Sequence, residues 1–195
     1  MTTPRYGEVM AQVRVFTVGH STHPLDELVE ILRSHGVHQV VDIRKMAGSR
    51  RNPQFGEDAL AASLPVHEIA YTRLEVLGGL RRTKQSEPTV NGAWRNASFR
   101  SYADYMQTDD FAQGVDDLLG LAARRQVAIM CAEAVPWRCH RSLVGDALVV
   151  RGVEVLDIMS RTSAKPHTLT SFARVEGNRV WYPATAENPG PGAPG

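Results

Sequence analysis

The stretch that decides the fold runs from residue 127 to residue 141 and reads Val127-Ala-Ile-Met-Cys131-Ala-Glu133-Ala-Val-Pro136-Trp-Arg138-Cys139-His140-Arg141. An apolar run ends on a cysteine, a short loop follows, and a helix-like stretch then begins. This strand–loop–helix pattern is typical of one unit of a parallel sheet. Both cysteines of the protein lie in it, and few structural needs explain that grouping. We therefore expect the active or ligand-binding site here.

The rest of the chain continues the alternation of strands and helices. The first strand, residues 13–18, is β-branched, and the second, residues 37–43, is apolar enough to be buried on both faces. Further strands are predicted over 66–71, 126–130 and 153–158, and helices over 25–35, 57–63, 101–106, 111–123 and from the Cys-His segment to 151. The pattern predicts an α/β fold, a doubly wound and mostly parallel sheet flanked by helices, with a C-terminal hairpin over 170–182.

The length of the chain favours one domain. At 195 residues it is long enough for one sizeable core and short for two. We expect a flexible N-terminus over 1–12, a single α/β domain over 13–183, and a disordered tail, rich in proline and glycine, over 184–195.

The composition excludes several classes of protein. The net charge is +1, so the chain lacks the strong positive field of a nucleic-acid coat protein. Two cysteines do not build a disulfide framework, and neither a signal peptide nor an apolar run of about 18 residues is visible. We therefore expect a cytoplasmic protein without a membrane partner, whose cysteines are thiols, thiolates or metal ligands.

Chemically active side chains follow the predicted strands, and ligands of open α/β sheets bind at the carboxyl ends of strands. The candidates for catalysis are Cys131, Glu133, His140, Asp42 and His20. The candidates for substrate binding are Ser21, Arg44, Arg50, Arg51, Asn52, Tyr71, Gly78, Gly79, Arg138 and Arg141. Because arginine binds phosphate and carboxylate groups with two parallel hydrogen bonds, the predicted partner is a small anionic ligand.

Cys131 is the predicted reactive group. It lies where a strand becomes a loop, and the N-terminus of the next helix points back at that loop. The helix dipole, Arg138 and Arg141 would stabilise an anion there, which lowers the pKa of a thiol. Alternatively, Cys131 is a buried strand-end residue that only packs in the core.

A metal site is a further alternative, and no other cofactor is predicted. Its ligands would be Cys131, Cys139, His140 and His20, whose spacing matches neither C-x-x-C nor H-x-x-x-H. Adjacent residues on a helix point about 100° apart. Cys139 and His140 are therefore not expected to face one ion.

A module that binds nucleic acid or a nucleotide without catalysis is the remaining alternative. A dense basic stretch, residues 44–51, follows the second strand. Further arginines follow the third strand, at Arg81, Arg82, Arg95 and Arg100. These side chains would bind phosphate groups, and Cys131 would then be a packing residue. The near-neutral net charge counts against this alternative, and the sequence predicts no oligomeric state.

Short motifs span nearly the whole chain: Thr17-Val-Gly19-His20-Ser21, Val41-Asp42-Ile-Arg44, Ser49-Arg50-Arg51-Asn52-Pro53-Gln-Phe55, Leu77-Gly78-Gly79, Tyr102-Ala-Asp104-Tyr105-Met106, and Met130-Cys131-Ala-Glu133 with Cys139-His140-Arg141. In these motifs the chain resembles the family of domain of unknown function 488. The resemblance implies a single-domain α/β protein and no particular activity. Members tend to carry a histidine near the position of Arg73, so any role of such a histidine does not transfer to this chain.

The function predicted first is a cysteine-dependent enzyme, a hydrolase or a transferase, that acts on a small anionic substrate such as a nucleotide or a nucleic-acid fragment. Cys131 would be nucleophile or redox centre, and Glu133 or His140 the acid or base. Titratable groups concentrated at one predicted rim favour a small-ligand site over an extended binding face.

Overall fold

The computed structural model describes residues 13–48, 51–81 and 89–185, and these contain a six-stranded sheet. The predicted flexible N-terminus and residues 186–195 of the predicted tail lie outside this part of the chain. The strands are β1 (Arg14–Gly19), β2 (Gln39–Asp42), β3 (Ala70–Arg73), β4 (Val127–Cys131), β5 (Glu154–Ser160) and β6 (Ser163–Pro166).

The strand order is β3-β2-β4-β1-β5-β6. The first five strands in this order are mutually parallel, and β6 pairs antiparallel with β5. The mostly parallel sheet predicted from the sequence is therefore confirmed. β4 lies between β1 and β2, and all five of its residues are buried, as expected of a continuous apolar run covered on both faces.

Helices cover both faces of the sheet. Leucines of α1 (Leu25–Ser34) and α2 (Glu57–Ser63) pack with sheet residues such as Phe16 and Met130. The helices α3 (Ala97–Tyr105), α4 (Asp109–Ala122) and α5 (Arg141–Val149) pack with the alternate sheet residues, among them Val15 and Ile129. Within the described residues, no helix combines the length and the apolar character needed to cross a membrane.

Several elements differ from the sequence prediction, and α3 begins at Ala97, four residues before the predicted start at residue 101. The third strand begins at Ala70 rather than residue 66, because 64–67 form a 3-10 turn that ends at Glu68 in the left-handed region, with φ 63°. β6 was not predicted, because its short sequence carries no alternation of apolar and polar residues. The C-terminal hairpin is confirmed as β7 (Arg174–Glu176) and β8 (Arg179–Trp181).

A buried network of charged side chains joins α5, the sheet and the C-terminal segment. The imidazole of His167 lies 3.0 Å from a carboxylate oxygen of Asp146 in α5 and 2.9 Å from one of Asp157 in β5. Tyr182 Oη donates to the second oxygen of Asp146 at 2.8 Å, and Thr17 Oγ1 donates to Asp157 at 2.6 Å. No sequence pattern indicates that this histidine is charged and buried, since its two carboxylate partners are distant in sequence.

The two carboxylates keep His167 protonated. Burial lowers the pKa of His167, but the hydrogen bonds with Asp146 and Asp157 outweigh that effect and raise the pKa to about 9, from an ordinary value of 6.5. Because the folded state holds this proton more tightly than the unfolded state, the ion pairs stabilise the fold fully below about pH 6.5. The stabilisation is lost as the pH rises through about 9.

We predict that His167→Gln lowers the free energy of unfolding most at pH 6 and less at higher pH. The difference from the wild-type protein should shrink by about 3 kcal/mol between pH 6 and pH 10, which corresponds to the pKa shift of His167. Urea unfolding of both proteins at the two pH values measures it. A difference that is the same at both pH values would show that His167 is not charged in the folded state.

Candidate functional site

The carboxyl ends of β1, β2 and β4 open onto two adjoining pockets of about 420 Å³ each, which together we call the strand-end cleft. One pocket, the thiol half, is lined by Cys131, Cys139 and His140. The other, the histidine half, is lined by His20 and Ser21. Arg44, Met46, Ala132 and Glu133 line both halves. The structure thus brings candidates from three separate loops to one site.

Three groups meet at the floor of the thiol half. The Sγ atom of Cys131 lies 4.0 Å from Nδ1 of His140, and the Sγ atom of Cys139 lies 3.6 Å from the same nitrogen. Both cysteines are free and buried, with 7% and 3% of their surfaces exposed. Cys131 is the last residue of β4, so the central strand delivers its thiol directly to the cleft.

The ring of His140 is held in one orientation. Its Nε2 lies 3.0 Å from the carbonyl oxygen of Ile43, which can only accept, so Nε2 carries the proton and donates. In the neutral ring, Nδ1 then keeps its lone pair toward the two sulfurs. The ring of Tyr102 packs against it at 4.9 Å between centroids, and Tyr102 Oη donates to the carbonyl oxygen of Leu77 at 2.6 Å.

The expectation that helical geometry separates Cys139 from His140 is wrong. α5 begins at Arg141, two residues later than that argument requires, and Cys139 is extended, with φ −134° and ψ 144°. An extended residue followed by a helix cap lets two neighbouring side chains turn to the same side. Cys131, Cys139 and His140 consequently place one ligand atom each within 4.8 Å of one another, close enough to bind a metal ion.

The two thiols share one negative charge unequally. The neighbouring thiol of Cys139 lowers the pKa of Cys131 to about 4, although burial opposes this effect. The neighbouring sulfur of Cys131 and burial raise the pKa of Cys139. At neutral pH the sulfur of Cys131 is therefore the thiolate of the pair.

Arg141 does not line the cleft, although the sequence made it a candidate for substrate binding. It is fully buried, and its Nη1 donates to the carbonyl oxygens of Val18 and Glu133, both at 2.9 Å. Its Nη2 donates to Ala134 at 3.2 Å. The geometry supports a structural role, because the guanidinium ties the loop after Cys131 to the end of β1.

Arg44 is fixed on three sides. It forms a two-pronged ion pair with Asp42, with Nε 2.8 Å and Nη2 2.5 Å from the carboxylate, and Nη2 also donates to Phe55. Nη1 lies 3.2 Å from Nε2 of His20. Of its five N–H donors, these bonds leave one on Nη1 without a partner among the described residues. Arg44 lines both halves of the cleft, so this donor is positioned for a ligand.

Two predicted site residues, Tyr71 and His20, support Arg44 and its partner Asp42. Tyr71 Oη donates to Asp42 at 2.8 Å, and burial and the carboxylate raise the pKa of Tyr71, so the phenol stays protonated. His20 stacks on Phe55 at 4.2 Å, and Nδ1 lies 2.9 Å from the carbonyl oxygen of Ser21. Burial lowers the pKa of His20, so its neutral ring accepts the Arg44 N–H.

The other candidates divide between the cleft and its surroundings. Ser21, in the left-handed region with φ 49°, and Asn52 line the histidine half. Glu133 and Arg138 are exposed at the rim, and Gly79 lies against the His140 ring. Further from the ligand space, Gly78 packs on the backbone of Lys45 and Arg51 is exposed, while Arg50 is outside the described residues.

Several cleft residues were missed or assigned otherwise by the sequence analysis. Lys45, Met46 and Leu80 line the thiol half together with Phe99 and Tyr102. Tyr102 is buried in the core, and its ring also contacts His140. The signal that marks it is the Tyr102-Ala-Asp104-Tyr105 motif, which by itself names no role.

Several of the arginines considered for nucleic-acid binding are engaged within the protein. Arg81 lies over the ring of Tyr105 at 3.7 Å and donates to the carbonyl oxygens of Val76 and Gly78. Arg44 is paired with Asp42, as described above. Arg95 is exposed, and Arg82 lies outside the described residues. Two of these arginines, Arg44 and Arg81, are therefore held by contacts within the protein.

We predict that Gly19→Ala destabilises the protein by about 3 kcal/mol, because the new Cβ would lie 1.8 Å from the carbonyl oxygen of Glu133 and 2.8 Å from Nη1 of Arg141. The matched control is Gly120→Ala in α4, where a Cβ meets nothing within 4 Å and should raise stability by up to about 1 kcal/mol. Urea unfolding measures both. Equal stability of the two variants would show that β1 and the loop after Cys131 are not in close contact.

Comparison with known proteins places the chain in a family. The sequence matches the family described as Domain of unknown function DUF488 over residues 24–148, which is more than half of its length. The match includes β2, β3, β4 and the Cys131, Cys139 and His140 cluster. No curated protein and no solved structure matches the chain. The protein thus belongs to the DUF488 family.

Proposed function

We propose that this protein is an enzyme that acts on a small anionic substrate in the strand-end cleft, with Cys131 at the centre of its chemistry. The observation that carries the proposal is the position of Cys131, which ends the central strand at the floor of a cleft with its sulfur against Nδ1 of His140. A cysteine that served only to pack the core would have apolar neighbours and no cleft above it.

The size of the cleft and its cations support a small anionic substrate. Each half encloses about 420 Å³, which is within the range of small-molecule sites. Arg44, Lys45 and Arg138 line the thiol half. Arg44 is paired with Asp42 and Lys45 with Glu75, so Arg138 and the remaining N–H of Arg44 support the binding of an anion. The remaining N–H of Arg44 would bind a substrate without rearrangement of the side chain, because Asp42 and His20 already fix the guanidinium.

The thiolate of Cys131 can serve a hydrolase or a transferase in two ways. It attacks the electrophilic atom of the substrate and displaces a leaving group, or it ligates an ion that activates a water. In the first route, Glu133 at the rim would deliver a proton to the leaving group and regain it from solvent, because Nδ1 of His140 carries no proton in the neutral ring. Both routes require the thiolate at the cleft floor, so both predict that activity depends on Cys131.

The proposal predicts that Cys131→Ser abolishes turnover without unfolding the protein. We expect the wild-type protein to turn over at least one member of a panel consisting of p-nitrophenyl phosphate, bis-p-nitrophenyl phosphate and the nucleoside mono- and diphosphates. Cys131→Ser should lower that rate at least about 100-fold. Release of nitrophenol and mass spectrometry of the nucleotides are the measurements.

The matched control is His38→Ala, which changes an exposed histidine before the amino end of β2, at the opposite edge of the sheet. Its turnover should equal that of the wild-type protein. Retained activity in a folded Cys131→Ser protein would remove Cys131 from the chemistry. If the wild-type protein turns over no member of the panel, the proposal that its substrate carries a phosphate group of these kinds is wrong.

A further inference from the structure

The three atoms at the cleft floor are close enough together to share a single metal ion. Zinc takes thiolate sulfur at about 2.3 Å and imidazole nitrogen at about 2.0–2.1 Å. A sulfur and a nitrogen on one tetrahedral zinc ion are therefore about 3.6 Å apart. The corresponding separations from Nδ1 of His140 are 3.6 Å for Cys139 and 4.0 Å for Cys131, and all three atoms lie within 4.8 Å of one another.

The orientation of His140 is that of a metal ligand. Histidines that bind a metal through one ring nitrogen generally donate the N–H of the other to a carbonyl or a carboxylate. Nε2 of His140 makes this bond with the carbonyl oxygen of Ile43 at 3.0 Å, which directs the lone pair of Nδ1 to the sulfurs. This contact is independent of the cysteines, since it joins the loop before α5 to the residue after β2.

Two further contacts suit a bound ion. The backbone N–H of Arg141 lies 3.4 Å from Sγ of Cys139 and donates to it, a contact that stabilises a thiolate. A Cβ at Gly79 would lie 2.8 Å from Nδ1 of His140, so the glycine leaves open the space beside the ligand nitrogen. The first contact favours a thiolate at Cys139, and the second leaves room for an ion beside Nδ1 of His140.

The fourth side of the site faces the cleft. Cys131, Cys139 and His140 all line the thiol half. His20, the fourth ligand considered from the sequence, is not part of the group, because its ring nitrogens contact Arg44 and Ser21. Zinc sites with three protein ligands and one open position are of the catalytic kind, whereas structural sites have four protein ligands.

We infer that Cys131, Cys139 and His140 bind one zinc ion whose fourth position opens into the strand-end cleft. The inference rests on the proposed function in so far as it selects the second of the two routes, in which the Cys131 thiolate is a ligand. Soft thiolate and imidazole ligands in a tetrahedral arrangement favour zinc over magnesium or calcium, which take oxygen ligands. An ion in this position would activate a water next to the substrate.

The test measures the metal directly. The wild-type protein, Cys139→Ser and the control His38→Ala are purified without a metal-affinity column and dialysed, and zinc is measured by plasma mass spectrometry. We expect about one zinc ion per chain in the wild-type protein and the control, and at least a tenfold lower content in Cys139→Ser. Cobalt added to the zinc-free wild-type protein should give thiolate-to-cobalt charge-transfer bands and the visible bands of tetrahedral cobalt.

The cobalt spectrum needs no variant, so it decides the question even where Cys139→Ser does not fold. A folded wild-type protein without zinc and without cobalt bands would overturn the inference, and so would zinc that is retained in a folded Cys139→Ser protein. Either result would leave the proposed function standing if turnover still depends on Cys131. Turnover retained in Cys131→Ser would instead overturn the proposed function.

Discussion

The arrangement of the site depends on the buried guanidinium of Arg141. A buried charge must find hydrogen-bond partners, and this one finds the carbonyl oxygens of Val18 at the end of β1 and of Glu133 and Ala134 in the loop after β4. These bonds draw the loop back over the sheet edge, and the absence of a side chain at Gly19 gives the loop room to come that close. The chain consequently returns to the end of β4 and brings a second thiol and an imidazole beside the first.

A second fixed guanidinium, that of Arg44, shapes the other side of the cleft. The pair with Asp42 neutralises most of its charge, so Arg44 acts through a directed N–H rather than through a strong field. Tyr71 and His20 hold the pair, and neither is free to transfer protons in the cleft while it does so. Lys45 is likewise paired with Glu75 at 2.7 Å, so Arg138 supplies the exposed positive charge at the rim.

The sequence predicted the sheet, and the meeting of several candidate residues at one of its edges, because both follow from local patterns. Apolar runs between helices indicate parallel strands, and parallel strands deliver Cys131, Asp42 and His20 to one edge. The sequence could not tell that Arg141 is enclosed by carbonyl oxygens whereas Arg44 lines the cleft, since the two side chains are chemically alike and differ in their three-dimensional surroundings. The cluster of Cys139 with His140 depends on a helix that begins two residues later than expected, a difference that a sequence pattern cannot resolve.

The most direct test of the account is the alkylation rate of Cys131 in the folded, chelator-treated protein, resolved from Cys139 by peptide mass. With the pKa of Cys131 near 4, its rate should stay nearly constant as the pH falls from about 8 to about 5, while Cys139 reacts little. An ordinary buried thiol would lose reactivity steeply over that range. Labelling of both cysteines only after unfolding would contradict a thiolate at the floor of the cleft.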